Sequence, residues 1–163
     1  MERPKMKKFI FLAILFIFLF IPQSHAAGLL LEGIEGQVEV LKKGSAAWVS
    51  AQEGLPIEAG DKIKTGKKSK VRIQMEKGTV DLGENTEFGV KEHVVTQDQI
   101  KTSLELTLGK LKAKVVKLKQ GSQFEIRTPT SVASVRGTFF FLWVYEYLGS
   151  FFTRLDVEEG IVN

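Results

Sequence analysis

Residues Gly60 to Phe88, GDKIKTGKKSKVRIQMEKGTVDLGENTEF, leave this chain little choice of architecture. Val71, Ile73 and Met75 alternate with Lys70, Arg72, Gln74 and Glu76. A period of two puts the apolar side chains on one face of a half-buried strand. Lys77-Gly78 follows as a two-residue connection, where glycine supplies positive φ at little cost, and Val80 and Leu82 resume the alternation. Gly83-Glu84-Asn85 makes the next turn, and Phe88 and Val90 lead the strand after it. Short strands at this density, with no helical period between them, predict an all-β module.

The flanking sequence continues the pattern. Ile34, Val38 and Val40 alternate with Glu35, Gln37 and Glu39, and Phe124 and Ile126 alternate with Glu125 and Arg127. Turn residues recur at roughly 8–12-residue intervals, as in sandwiches and barrels. Lys91 to Gln99 is polar and reads as a connection. Leu104, Leu106 and Leu108 occupy even positions, whereas Leu111, Ala113 and Val115 occupy odd ones. A one-residue slip flips every side chain to the other face, so Gly109 between the two sets is expected to be a corner. The doubled Val115-Val116 suggests a bulge. Phe139 to Val144 is an unbroken apolar run, expected to form a strand buried on both faces. Trp48 reads as a core plug in preference to a ligand platform, because large aromatics mostly contribute buried area. The fold class is therefore all-β: one domain of short strands, solenoid-like or a rolled sandwich, preceded by an N-terminal signal-peptide helix. The sequence stops two residues after Ile161, at what reads as the start of another strand, so the domain is expected to be cut short there.

The first 26 residues have the layout of a secretory leader. Arg3, Lys5, Lys7 and Lys8 precede an apolar run of 13 residues from Phe9 to Ile21. Pro22 ends the run, and Ser24-His25-Ala26 before Ala27 fits a small-x-small cleavage site. As a helix the run spans only ~20 Å, short of the ~30 Å hydrocarbon core. An uncleaved anchor is the competing reading. Cleavage between Ala26 and Ala27 divides the 163 residues into a leader, 1–26, and a domain, 27–163. It removes four basic residues and Glu2, so the net charge falls from +4 to +1. The basic character thus belongs to the leader and does not point to nucleic acid. With no cysteine, the exported domain must hold together through its core alone.

Catalytic chemistry finds little footing in the domain. His93 is its one histidine, in a polar stretch with no nucleophile elbow, and it reads as an exposed side chain. No His, Cys or carboxylate set has metal-ligand spacing, and no glycine loop leads into a helix to cradle phosphate. No cofactor is expected. Lys110, Lys112 and Lys114 share one strand face, with Lys117 and Lys119 continuing the run. They form either a solvated face that discourages edge aggregation or a basic stripe for an anionic polymer.

Two passages carry a family resemblance. One is Gly60-Asp61-Lys62-Ile63-Lys64-Thr65-Gly66 with the paired strands through Phe88; the other is Thr128 to Phe140, which contains Val135-Arg136-Gly137-Thr138. In this order, with Trp48 upstream and Gly109-Lys110-Leu111 between, they resemble the FecR domain from about Gly33 to Val162. The resemblance implies an extracytoplasmic, all-β, non-catalytic module. Its namesakes are inner-membrane regulators that report an occupied outer-membrane transporter to a cytoplasmic sigma factor. Only eight residues precede the apolar run, so a cytoplasmic domain of that kind is not expected, and the chain is more similar to stand-alone exported members.

Physically, Gly60, Asp61, Thr65 and Gly66 read as turn chemistry. Arg136, beside Gly137 and Thr138, is expected to be partly buried and to pair with Asp61 or cap turn carbonyls; anion binding is the alternative. The expected function is a periplasmic or extracellular binding or scaffolding module for a protein or a cell-envelope polymer. It would work without nucleic acid and would meet the membrane only through an uncleaved leader. The alternative is a component of envelope signalling. The candidate surface is Lys110 to Lys119 with residues 91–99 beside it.

Overall fold

The computed structural model describes residues 28–160 and Val162; the expected leader, its helix and the expected cleavage site at Ala26-Ala27 lie outside the described residues. In chain order the strands are β1 Leu29–Glu35, β2 Val38–Leu41, β3 Val49–Ser50, β4 Pro56–Ile57, β5 Lys62–Thr65, β6 Lys70–Met75 and β7 Gly78–Leu82. There follow β8 Glu87–Val95, β9 Ile100–Val115, β10 Gln123–Arg127, β11 Val132–Val135, β12 Thr138–Tyr147 and β13 Ser150–Glu159. No helix occurs among the described residues. All 13 strands join one curled sheet, with the order β3-β2-β5-β8-β9-β7-β6-β1-β4 along its main path.

Strand β9 is the hub. Its first half pairs antiparallel with β8, where Leu104 faces Val90, and parallel with β10, where Leu104 faces Ile126. Its second half lies antiparallel between β7 and β12, with Ala113 opposite both Val80 and Phe140. Leu104 and Leu106 are fully buried in the first half, and Leu111, Ala113 and Val115 in the second. The inward set changes parity within one continuous strand of 16 residues. The β8–β9 register takes up an extra residue between Leu106 and Leu108, and Gly109, at φ +99°, turns the backbone immediately after it. The expected corner at Gly109 is therefore a bend inside a strand. Both halves have partners on both sides.

Three other expectations are corrected. The stretch 91–99 is strand up to Val95, since β8 runs to that residue; only Thr96–Gln99 turns, with the Thr96 amide donating to the Gln99 carbonyl at 2.9 Å. No bulge forms at Val115-Val116. β9 ends at Val115, and the Val116 amide leaves the ladder to donate to the Lys77 carbonyl at 3.0 Å. The run Phe139 to Val144 is buried on one face only: Phe140, Leu142 and Val144 are in the core, while Phe139 and Phe141 are half-buried and Trp143 is exposed. Among the described residues no strand packs over the outer face of β12 to bury its second set of rings.

The Gly60–Gly66 passage staples the first limb of the sheet together. Asp61 is buried at the turn before β5. Its carboxylate accepts hydrogen bonds from the amides of Lys43 (2.8 Å) and Glu58 (3.0 Å) and an ion pair from Lys42 Nζ. Burial by itself pushes the Asp61 carboxyl up, but the Lys42 bond, the two amides and the Lys42 charge together outweigh it and hold it below the usual carboxylate range. Four residues on, the buried Thr65 hydroxyl donates to the Gly83 carbonyl at 2.6 Å and accepts from the Thr86 amide at 2.9 Å. The Thr86 hydroxyl in turn accepts from the Lys110 amide at 3.0 Å, beside the Gly109 bend. The Gly66 amide donates to the Gln37 carbonyl at 2.9 Å. The motif thus ties β2, β5 and the turn before β8 to the middle of β9.

Two predictions follow from this arrangement. A Cβ on Gly109 would meet Thr86 Cα at 2.5 Å in a backbone conformation that L-residues rarely adopt. Gly109→Ala should therefore cost at least about 2 kcal/mol in a denaturant titration. Gly149→Ala, also at positive φ but facing open space, should cost only about 1 kcal/mol; equal costs at the two sites would contradict the hub role. Asp61→Asn weakens the hold on two amides and loses the Lys42 pair, and should cost about 2 kcal/mol at neutral pH. The folded-state carboxyl is depressed, so its contribution is complete above the unfolded value of about 4 and fades as pH falls through the folded value. The stability gap between the wild type and Asp61→Asn should accordingly close on acidification below about pH 4, and a gap that widened there would refute the assignment.

Candidate functional site

In the second half of β9 the alternation that buries Leu111, Ala113 and Val115 turns Lys110, Lys112 and Lys114 outward. On the adjacent β12 the same geometry turns out Trp143, Phe141 and Phe139, which stand directly opposite those three lysines. The two rows interlock. Lys110 Nζ lies 5.1 Å from the centre of the Trp143 ring, and Lys112 Nζ lies 4.6 Å from Phe139 and 5.1 Å from Phe141. An ammonium over a ring face is attracted by the ring quadrupole. The aromatic row extends past the lysines. Trp143 and Tyr145 are tilted at 5.3 Å, and Tyr145 stacks on Phe152 of β13 at 5.5 Å and 16°.

Three nearby carboxylates are engaged elsewhere. Asp81, opposite Lys112 on β7, is held by Arg72 through Nε (2.6 Å) and Nη2 (3.1 Å), and that bond raises the Arg72 pKa. Glu105 pairs with Lys91 at 2.8 Å, and Glu35 with Lys70 at 3.0 Å. Among the described ion pairs none uses Lys110, Lys112 or Lys114. The face thus carries three lysines on an aromatic floor, with Glu159 opposite Phe139 and Glu32 on the border of the adjoining groove. Beside it runs an open groove of about 630 Å³, bordered by Glu32, Lys70, Arg72, Asp81, Lys112 and Phe141.

The proposed five-lysine stripe does not stay together. Lys117 and Lys119 lie beyond the end of β9, and Lys119 borders a small cavity with the Thr96–Gln99 turn. That turn therefore accompanies Lys119, not the lysine row. The aromatic half of the face was missed from sequence because all six residues from Phe139 to Val144 are apolar, and an unbroken run conceals which side each residue takes.

Arg136 departs from expectation. It is exposed, and no described hydrogen bond or ion pair reaches its guanidinium; Asp61 is served by Lys42 instead. Val135 is the last, inward residue of β11, so the next side chain points out. Gly137, at φ +107°, packs so closely that a Cβ would meet Lys117 Cα at 2.8 Å, and Thr138 begins β12 as a buried residue. Trp48 is 40 % exposed and plugs nothing. It precedes the two-residue β3, which ends the described sheet on that side.

His93 is half-buried on β8, not an exposed loop residue. Its Nδ1 lies 3.0 Å from the Thr102 hydroxyl, and its Nε2 is buried with no partner. Burial lowers its pKa, with Glu76 opposing weakly, so the neutral ring is favoured. Glu125 is buried between the Ser103 hydroxyl and Arg127, each at 2.8 Å; the Ser103 bond and Arg127 lower its pKa against the effect of burial. Among the described residues no group of three or more His, Cys, Asp or Glu could hold a metal ion, and no helix is long and apolar enough to cross a membrane.

No curated protein and no solved structure matches the chain at a significant level. The family described as FecR protein matches over residues 61–163, from the buried Asp61 through the hub strand to the last hairpin and beyond. That match covers more than half of the sequence, so the chain belongs to the FecR family.

Proposed function

We propose that the chain is a non-catalytic binding module that works outside the cytoplasm, in the periplasm or beyond the cell, after removal of residues 1–26. Its binding surface is the outer face of β9 and β12, and its ligand is an anionic cell-envelope polymer. One observation carries this reading: Lys110 and Lys112 lie over Trp143, Phe139 and Phe141 with no acidic partner among the described residues. Ring faces suit the apolar faces of sugar units, and the ammonium groups between them suit carboxylate or phosphate substituents. A row of alternating rings and charges along two extended strands matches a repeating polymer better than a compact small molecule. Export is supported by the leader-like composition of the first 26 residues and by family membership. A role in envelope signalling is the second reading, and family membership favours it.

Lys112→Glu together with Lys114→Glu should weaken retention on an acidic envelope polysaccharide at least tenfold and flatten its salt dependence. Trp143→Ala should weaken it about tenfold while leaving the salt slope nearly unchanged, because the ring contributes contact and not charge. A neutral glucan serves as the control. Unchanged retention of both variants would remove this face from consideration. Mass spectrometry of the secreted or periplasmic protein should find an N-terminus at Ala27; an intact N-terminus in the membrane fraction would favour the anchored, signalling form.

A further inference from the structure

The sheet has four edges, and three are blunted. β3 and β4 are two residues long, and β4 begins with Pro56. β11 is four residues long, and Val162 bridges to it at Val135. The fourth edge is β13, ten residues long and, among the described residues, paired only with β12. It contains no proline and no lysine, the usual guards of a strand edge. The one irregularity in its pairing lies at the far end, between Phe139 and Phe140, so Ser150 to Val157 is regular strand. The chain leaves β13 at Gly160 and crosses to β11, away from the free edge.

The exposed side chains of β13 are also unusual. Leu155 and Val157 stand opposite the buried Leu142 and Phe140, on the core side of the sheet, yet they are 38 % and 44 % exposed. Phe151 on the same side is 37 % exposed. Thr153 between them is touched by the Thr128 and Thr130 hydroxyls. On the outer side, Arg154 and Asp156 are paired with each other along the strand at 2.9 Å.

We propose that β13 is a homodimer interface: two copies pair antiparallel edge to edge, with the two-fold axis at Leu155. An isologous antiparallel pair needs its axis perpendicular to the sheet, so opposing residues must lie on the same face of their own strand. This condition permits only registers centred on a residue. Centring on Arg154 sets arginine against arginine, and centring on Asp156 sets aspartate against aspartate. Centring on Val157 sets Asp156 against Glu158. Centring on Thr153 leaves Arg154 and Asp156 opposite Phe152 and Ser150. Centring on Leu155 places Arg154 opposite Asp156 of the second copy, twice over, and sets Leu155 against its own copy. The in-strand ion pair then becomes a four-charge square of alternating sign. The edge amides and carbonyls gain ladder partners, and the two core-side apolar rows join into one. Arg154 and Asp156 stand beside Trp143 and Phe141 on the outer face, but the pairing runs through the backbone edge of β13 and is read from oligomeric state, so dimerisation can fail without the polymer site failing, and the reverse.

The absence of cysteine makes the register directly testable. In the full chain, Leu155→Cys should oxidise to a disulfide-linked dimer, because the two Cα atoms would lie about 4.5–5.5 Å apart, within disulfide range. Thr153→Cys should stay reduced, since its copies would be displaced by four residues, about 13 Å. In sedimentation, the wild type should be dimeric, and Asp156→Arg and Arg154→Asp should each shift it to monomer by at least tenfold in dissociation constant. The combined Arg154→Asp, Asp156→Arg variant should restore the dimer. A monomeric wild type, a dimer indifferent to both single reversals, or oxidation of Thr153→Cys in place of Leu155→Cys would each overturn the proposal. Far-ultraviolet circular dichroism of every variant keeps misfolding from being mistaken for dissociation.

Discussion

A single strand, β9, belongs to both limbs of the sheet, and it can do so only because its inward face changes parity once along its length. Even-numbered leucines serve the first limb, and odd-numbered Leu111, Ala113 and Val115 serve the second. The switch needs one residue whose backbone turns where a Cβ has no room, and Gly109 is that residue. Pairing with β8, β10, β7 and β12 is built outward from the two halves. Without the switch, one half would present its lysines to the core.

The threonine and aspartate side chains of the Gly60–Gly66 passage serve the same constraint from outside. Thr86, packed on Gly109, is bonded to Thr65 and to the Lys110 amide, so the bend is held by buried hydroxyls. Asp61 fixes the preceding turn by answering two amides that would otherwise be stranded. Their conformational role explains why the passage combines small, hydroxylated and acidic residues: each closes a backbone gap between strands of different direction.

The same geometry creates the lysine–aromatic face. Once β9 presents its core residues at odd positions, its lysines must emerge at even ones, and the neighbouring β12 must emerge in phase with them. The lysine–aromatic face is thus a consequence of the parity switch, and no described strand lies over it. The long edge of β13 lies at the other side of β12, where no further described strand pairs.

The strand character of the domain was legible in the residues, because alternation such as Val71, Ile73, Met75 has no helical explanation. The parity change across Gly109 was legible too, although not the fact that the strand continues through it, since continuity depends on partners distant in sequence. In the candidate site, the shared face of Lys110, Lys112 and Lys114 could be read from spacing alone. The rings beneath them could not, because an all-apolar run has no phase until a sheet assigns one side to the core. Arg136, Trp48 and His93 were misplaced for a related reason: type and local spacing say what a side chain can do, whereas its burial is decided by which strands arrive next to it. The sequence by itself determined that the domain is β and where its strands alternate. Only the tertiary structure decided which alternate faces are covered, because coverage is a property of neighbours brought together by non-local hydrogen bonds.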